Sequence, residues 1–246
     1  MEVLQSKPDG FALLSDADGS NCILEAWGTD IPFKVEDRSY ICKITILPLV
    51  FVVAKDTGWT SLDDVANAVK EDPASVTFAW SGGTGGIDCQ TAQFLRAMED
   101  RGIDTSLINM VTYSSGSDVA TAVAGGHADI GGVSPTSGKS VHDAGLVDMI
   151  SITTEERSPQ HPTVATTREQ GWNSVNFVGH TGLSGPAGMP EEVVKIIADQ
   201  VAEIVKLPDV IAEFENLGLA VDFLGPEDYR ANVMELTAEL KRIQVS

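Results

Sequence analysis

The sequence predicts an α/β fold in which strands and helices alternate around a mostly parallel sheet. Between residues 47 and 153, short apolar segments typical of strands alternate with segments of helical periodicity. Three of these strands run directly into loops rich in Ser, Thr and Gly. The chain has 246 residues, 43% of them hydrophobic and 21% charged, so it can form one large or two modest domains with a real core.

The N-terminal part predicts two strands. A turn at residues 7–10 precedes a short buried strand at residues 11–14, and a polar loop follows at residues 15–21. Residues 47–54 are apolar on both faces, which is typical of a buried strand in a parallel sheet.

The helix that follows has a clear start signal. Ser61 can cap it, and Asp64, three residues later, completes a capping box. The apolar residues then recur at positions i, i+3, i+4 and i+7, namely Leu62, Val65, Ala66 and Val69.

The middle of the chain repeats a strand–loop–helix unit. The strand at residues 76–80 enters the loop 81–86, and a helical face follows as far as Met98. A second strand at 107–112 leads through the loop 113–116 to a helix at 117–124. Further strands are predicted at 128–133, which ends at the polar loop 134–138, and at 147–153. Two helices starting near Pro190 and Pro226 complete the chain.

The charge of the chain excludes several partners. Its 16 basic and 36 acidic residues give a formal net charge of −20. Such a protein is not expected to bind nucleic acid or an anionic membrane through its general field. No apolar run reaches the length of a membrane helix, so direct membrane insertion is not expected either. An anionic ligand would have to be held by local dipoles.

Catalytic, metal and cofactor sites have little support. The cysteines Cys22, Cys42 and Cys89 form no C-x-x-C pair, and the four histidines lack metal-ligand spacing, so we expect no metal and no cofactor. No G-x-S-x-G elbow is present. No signal peptide is visible at the start, so the protein is either cytosolic or begins upstream of this chain.

The glycine-rich loop is the strongest candidate site. It is neither a P-loop nor a dinucleotide fingerprint. Glycines let a ligand approach the backbone, and the N-terminus of the following helix offers free N–H groups and a positive dipole end. We therefore expect this loop to hold a carboxylate or similar anion without a basic side chain. The loop consists of Ser81, Gly82, Gly83, Thr84, Gly85 and Gly86.

Two further loops are candidates because of their position. Residues 113–116 and 134–138 also follow predicted strands. All three loops should therefore lie at the carboxyl ends of one sheet, where α/β sheets bind ligands.

Six segments, in order, resemble motifs of one family. The family motifs are "PDGYTLL", "GSSGNGSS", "VPYKG", "GGQVDVM", "VPTVAEAG" and "GLLAPAGTP", and the matching segments are residues 8–14, 80–86, 111–115, 125–130, 162–171 and 182–190. Each motif is weak alone, but the six in this order are specific. The chain resembles the substrate-binding proteins of tripartite tricarboxylate transporters, also called Bug-type receptors, from about residue 7 to about residue 240.

The resemblance implies a two-lobed, type II periplasmic-binding-protein fold. Residues 1–54 and 151–246 would form one lobe and residues 55–150 the other. Such a receptor binds a small carboxylate-bearing solute between its lobes and delivers it to membrane permease subunits. It is periplasmic, is not an enzyme, and is expected to be a monomer.

The resemblance also implies site residues. The family's ligand-binding loop in the second lobe corresponds to the glycine-rich loop described above. The loop after the "PDG" strand contributes Asp18, Ser20 and Asn21, and the loop after the "DVM" strand contributes Ser134, Pro135 and Thr136.

The family's first strand and its "PGGGTD" loop would precede residue 7. The chain is therefore expected to lack the N-terminal part of the first lobe, and to bind its ligand weakly.

Two alternatives stay open at this stage. A cytosolic effector-sensing domain could use the same bilobed architecture. A hydrolase or transferase could use the glycine loop as an oxyanion hole, with Cys89 as its nucleophile and a distant histidine as its base.

Overall fold

The computed structural model describes residues 2–28, 31–82 and 85–243. The chain forms two compact units. Unit 1 contains the described residues up to Leu47 and from Gly179 onward, and unit 2 runs from Pro48 to Val178.

Unit 1 is built on a four-stranded antiparallel sheet. Its order is β1-β8-β2-β9, from β1 (Leu14–Ala17), β2 (Arg38–Leu47), β8 (Gly179–Pro186) and β9 (Ala220–Leu224). Its helices are α1 (Cys22–Trp27), α6 (Glu191–Ile204), α7 (Pro208–Asn216) and α8 (Pro226–Arg242).

Both faces of this sheet are covered. On one face Ile41 and Cys42 of β2 pack against Val194 and Ala198 of α6. On the other face Tyr229 of α8 stacks edge-on against Tyr40, with ring centroids 5.2 Å apart. This second face also holds the polar groups described below.

Unit 2 is built on a five-stranded mixed sheet of order β5-β4-β6-β3-β7. The strands are β3 (Val50–Ala54), β4 (Thr77–Trp80), β5 (Asn109–Thr112), β6 (Ile130–Val133) and β7 (Val147–Ile152). Strand β4 is parallel to both β5 and β6, whereas β3 is antiparallel to both β6 and β7. The helices are α2 (Leu62–Glu71), α3 (Gly86–Asp100), α4 (Gly116–Ala124) and α5 (Pro135–Asp143).

The two faces of this sheet carry separate apolar cores. Phe51 and Phe78 pack with Phe94 of α3 and with Trp172 on one face. Aliphatic side chains of β3 and β6 pack against Val119 of α4 on the other. The alternation of side chains along each strand therefore places α3 and α4 on opposite faces.

The α/β alternation of the middle region is confirmed, but the expectation of mostly parallel sheets is wrong. The sheet of unit 1 is antiparallel throughout, and only the β5-β4-β6 part of unit 2 is parallel. Of the apolar run at residues 47–54, residues 48–54 are buried as predicted, whereas Leu47 is partly exposed. The run is not one strand, because Leu47 ends β2 in unit 1 and only Val50–Ala54 forms β3, which pairs antiparallel with β6 and β7. Burial of both faces predicts a central strand but does not predict its direction.

The first predicted strand is displaced. Strand β1 begins at Leu14, and Phe11 is 95% exposed. The backbone at Gly10 has a φ of +87°, and the N–H of Phe11 donates to the Asp9 carboxylate at 3.2 Å. The turn is therefore longer than its sequence signal indicated.

The boundaries of the units differ from the predicted lobes. The sequence placed them after residues 54 and 150, whereas the contacts divide the chain at Leu47 and at Val178. Strand β3 belongs to unit 2 because it pairs with β6 and β7. Residues 151–178 belong there because Thr167 donates its N–H to the carbonyl of Ile152, and Trp172 enters the core of that unit.

Helix α2 begins as its sequence predicts. The Ser61 hydroxyl accepts the N–H of Asp64 at 3.2 Å, and the Asp64 carboxylate accepts the N–H of Ser61 at 3.0 Å. Within the described ranges, no helix combines the length and apolar character needed to span a bilayer.

Candidate functional site

Three helices begin at one edge of the unit 2 sheet. Strands β5, β4 and β6 are neighbours and run in the same direction, so the loops that follow them lie at the same edge. These loops lead into α4, α3 and α5 respectively. The sequence-based expectation that the three loops share one sheet edge is confirmed.

The first turns of these helices are close together. The side chain of Ile87, in the first turn of α3, lies 3.6 Å from the position that a Cβ on Gly116 would occupy at the start of α4. The Ile87 carbonyl lies 3.0 Å from the corresponding position on Gly132, near the end of β6. The edge therefore presents several helix N-termini side by side, with their positive dipole ends converging.

The glycine-rich loop connects β4 to α3. Gly82 has a φ of +86°, a backbone conformation that favours glycine, and a Cβ there would lie 3.1 Å from the Thr112 side chain. Gly85 is the N-cap of α3 and Gly86 is its first residue. The predicted site residues Gly83 and Thr84 lie outside the described residues.

The side chain of Asp88, from the first turn of α3, reaches into this loop, which the sequence pattern does not predict. Its carboxylate accepts the N–H of Ser81 at 2.6 Å, the hydroxyl of Ser81 at 2.6 Å and the N–H of Gly85 at 3.1 Å. Asp88 is fully buried. These donors of Ser81 and Gly85 are therefore already engaged by the protein itself.

The N–H groups of Gly86 and Ile87 make no hydrogen bond with any part of the chain that the structure describes. This follows from their position, because the first N–H groups of a helix have no carbonyl one turn before them. Both residues are partly exposed. They are open donors at this end of α3.

The predicted residues Ser134, Pro135 and Thr136 form the start of α5, not a free loop. Ser134 is the N-cap, and its hydroxyl accepts the N–H of Ser137 at 3.2 Å. The hydroxyls of Ser134 and Thr136 are 3.1 Å apart. Pro135 is the first helical residue, where the missing N–H of proline is not needed.

The start of α4 completes this edge. Ser115 caps the helix by accepting the N–H of Asp118 at 3.2 Å, and its hydroxyl donates to the Asp118 carboxylate at 2.9 Å. Ser115 lies in the loop 113–116, which is a candidate by its position, although the sequence did not single out this residue. Ser115 follows a strand and stands three residues before Asp118, and this spacing is the sequence signal that identifies it as a helix cap.

The predicted residues of unit 1 lie in a polar cluster after β1. Asp18 and Ser20 form a 3₁₀ turn, and Asn21 follows it. Asn21 is fully buried, and its amide nitrogen lies 3.2 Å from His180 Nε2. The hydroxyl of Ser20 donates to Asp16 at 2.9 Å. These contacts engage Ser20 and Asn21 within unit 1.

Burial sets the protonation of two neighbours in this cluster. Burial raises the pKa of Asp18 to about 6, although the backbone N–H of His180 donates to its carboxylate and opposes the rise. Burial lowers the pKa of His180 to about 4, so its imidazole is neutral at pH 7. The cluster therefore presents no cation from His180 at neutral pH.

The residue proposed for the enzyme alternative is not presented to a substrate. Cys89 is fully buried within α3. Among the described residues, no group of three or more His, Cys, Asp or Glu side chains is arranged to hold a metal ion.

A separate cavity of about 600 Å³ lies within unit 1, beside the first turns of α6 and α8. Its charged lining residues are Glu191, Lys195, Asp199, Glu227 and Asp228. None of the predicted site residues lines it. It is therefore a feature distinct from the sheet edge of unit 2.

Comparisons with known proteins agree with this architecture. The model of the tripartite tricarboxylate transporter family receptor, TctC, matches residues 1–243. A protein of Agrobacterium vitis, from the TAR-I ttuE-ttuC' intergenic region, is 26% identical over 245 residues, which are 98% of this chain and 68% of that protein. The chain spans about two thirds of the length of the curated relatives it matches.

Solved structures show the same fold. MatC from Rhodopseudomonas palustris, solved with bound malate, has a TM-score of 0.77 and 20% identity, over 98% of this chain and 82% of that one. Rpa4515 from R. palustris, solved with adipate, has a TM-score of 0.81 and 18% identity, over 98% and 79% of the two chains. The fold is thus that of periplasmic solute-binding proteins.

Proposed function

Because the chain belongs to the tripartite tricarboxylate transporter receptor family, we propose that it is an extracytoplasmic, periplasmic receptor for a small carboxylate-bearing solute. Its two compact units are the lobes that capture the solute, and the loaded receptor delivers it to the membrane permease subunits of a tripartite tricarboxylate-type transporter. Two proteins of the same fold were solved with malate and with adipate, so acids of about this size are the solutes to test first.

The observation that carries this proposal is the edge of unit 2 where α3, α4 and α5 begin. The N–H groups of Gly86 and Ile87 are open there, and the hydroxyls of Ser134 and Thr136 lie at the start of α5. Such donors hold oxygen atoms of a small acid, whether charged or neutral, without a basic side chain, which suits a chain with a net charge of −20.

The site is tested by removing one donor while keeping the helix. Gly86→Pro deletes the N–H at the first position of α3, where proline is well tolerated, and Gly85 before it is already extended, with φ −135° and ψ 168°. Loss of one hydrogen bond to a solute oxygen costs about 1–2 kcal/mol, or roughly 5- to 30-fold in affinity.

The control is Glu191→Pro, which places proline at the first position of α6 in unit 1. The measurement is isothermal titration calorimetry with the acids that wild type binds, chosen by a thermal-shift screen of mono-, di- and tricarboxylates. We expect only Gly86→Pro to weaken binding. A screen without a binding acid, or equal binding by both variants and wild type, contradicts the proposed site.

Delivery is tested separately. Proteoliposomes that contain the permease subunits should take up labelled solute only when the loaded receptor is added outside. Uptake that is independent of the receptor would contradict the transport role while leaving solute binding intact.

A further inference from the structure

Asp88 places a negative charge inside the loop that we propose contacts the solute. It is the third residue of α3, and its carboxylate bonds to Ser81 and Gly85 at the two ends of the loop. A carboxylate in this position does what an external anion does at a helix N-terminus, since it binds N–H groups and complements the helix dipole. The protein thus supplies an anion of its own.

The donors left open are on the same helical turn as this charge. Gly86 and Ile87 precede Asp88 directly, so a ligand group on their N–H groups lies within about one helical pitch, roughly 5 Å, of the Asp88 carboxylate. Two ionised carboxylates at such a distance in a partly buried site repel each other. A neutral oxygen suffers no such repulsion and still accepts both hydrogen bonds.

The amide of Gln90 adds a polar group without charge to this region. Gln90 lies one turn after Gly86 along α3 and is fully buried, and its amide oxygen and nitrogen have no partner among the described residues. The amide oxygen lies 3.3 Å from the position that a Cβ on Gly132 would occupy, beside the carbonyl of Ile87. The side of this turn that faces β6 is therefore lined by a neutral amide.

We infer that the N–H groups of Gly86 and Ile87 bind an uncharged acceptor of the solute, such as a hydroxyl, carbonyl or amide oxygen. Asp88 selects against a second ionised carboxylate there. The solute class is then an acid that carries a neutral polar group at its other end, in preference to a simple dicarboxylate. This inference rests on the proposed function, because it names the substrate class of the same site.

The test compares probes that differ mainly in charge. Succinate and adipate carry two carboxylates, and their monoamides, succinamate and adipamate, carry one. Calorimetry at pH 7.5 is expected to show that wild type binds at least one monoamide about tenfold more tightly than its diacid. Preference for the diacids by wild type overturns the inference without any variant.

Asp88→Asn then removes the charge and keeps the size of the side chain. We expect it to reduce the preference for the monoamide about tenfold. The matched control is Asp118→Asn, which removes one charge from the equivalent position of α4 at the same edge. It is expected to change the ratio less than threefold. Any loosening of the loop in Asp88→Asn weakens both probes alike, so the ratio isolates the charge.

Failure of this inference is distinguishable from failure of the proposed function. An unchanged ratio in Asp88→Asn, or an equal change in Asp118→Asn, overturns the role of Asp88 while carboxylate binding stands. If wild type binds neither these four probes nor any acid of the wider screen, the proposed function fails, and the inference fails with it.

Discussion

Arg38 and Asp16 form an ion pair of 3.0 Å in which neither side chain is exposed to solvent. One guanidinium nitrogen of Arg38 bonds to both carboxylate oxygens of Asp16, and the group lies 5.2 Å from the centre of the Phe33 ring. The pair lies within unit 1, beside the polar cluster that contains Ser20. It joins β1 to β2, which are not adjacent in the sheet.

Breaking this pair from one side should be costly. Arg38→Met leaves Asp16 buried without its partner, and we expect the free energy of unfolding to fall by about 3–5 kcal/mol in urea titrations. The double variant Asp16→Leu/Arg38→Met should regain most of that loss, because it leaves no buried charge. Lys195→Met, which breaks the exposed pair with Asp199, is the control and should change stability by less than about 0.5 kcal/mol. A double variant as unstable as Arg38→Met contradicts this account.

Asp18 and His180 should give opposing pH dependences of stability. The pKa of Asp18 rises from 3.8 to about 6 on folding, so its contribution to stability falls as the pH rises from about 4 to 6. The pKa of His180 falls from 6.5 to about 4, so its contribution falls as the pH drops from about 6.5 to 4. In wild type the two slopes partly cancel.

Asp18→Asn removes one of these slopes. We expect the variant to be more stable than wild type at pH 7, by about 3 kcal/mol, and equal to it near pH 3.5. Urea unfolding at intervals between these pH values gives the difference curve, in which all other titrating groups cancel. A difference that does not vary with pH would show that Asp18 titrates normally in the folded chain.

Gln93 fixes the segment that ends unit 2. Its amide oxygen accepts the N–H groups of Asn176 and Phe177 at 3.0 and 2.8 Å, and its amide nitrogen donates to the Asn176 side chain at 3.0 Å. Gln93→Leu leaves two N–H groups without this acceptor, so we expect a loss of about 2–4 kcal/mol. Hydrogen exchange at Asn176 and Phe177 should accelerate as well.

Gln90→Leu is the matched control on the same helix. Gln90 is equally buried, but its amide has no partner in the described part of the chain. Its replacement by an apolar side chain of similar size should be neutral or stabilising. Equal losses in the two variants would mean that the hydrogen bonds of Gln93 are not the source of its effect.

Gly182 should tolerate no side chain. A Cβ there would lie 2.4 Å from the carbonyl oxygen of Cys42 and 2.8 Å from the Tyr229 ring. We expect Gly182→Ala to lower the free energy of unfolding by about 2–3 kcal/mol, measured by urea titration. Gly19→Ala meets nothing within 4 Å among the described residues and should change stability by less than about 0.5 kcal/mol.

Features that depend on residues close in sequence were predicted correctly. The start of α2 follows from the pairing of Ser61 with a residue three positions later, and the strand–loop–helix order around residues 76–124 follows from the periodicity of apolar residues. Strand β2 was missed because charged residues interrupt its apolar pattern. Its buried Arg38 and Lys43 are paired with Asp16 and Asp222, and the sequence does not show which residues become neighbours.

The sequence predicted where the candidate loops lie in the fold, but it predicted only part of their hydrogen bonding. It placed the three loops at one edge of the sheet, since each loop follows a strand. It did not indicate that Asp88 bonds to Ser81 and Gly85. Asp88 stands three residues after the N-cap Gly85, as Asp64 does after Ser61. Gly85 has no side chain to complete the capping box, so the sequence contains only half of the signal that predicts α2.

The distribution of indole side chains makes the two units spectroscopically distinct. Trp59, Trp80 and Trp172 belong to unit 2, and Trp27 to unit 1. Trp172 is 1% exposed, beneath the Arg101 guanidinium at 3.3 Å. Intrinsic fluorescence of the unmodified chain will therefore report mainly on the melting of unit 2, whereas far-ultraviolet circular dichroism follows both. Non-coincident transitions by these two probes would reveal that the halves of this receptor unfold independently.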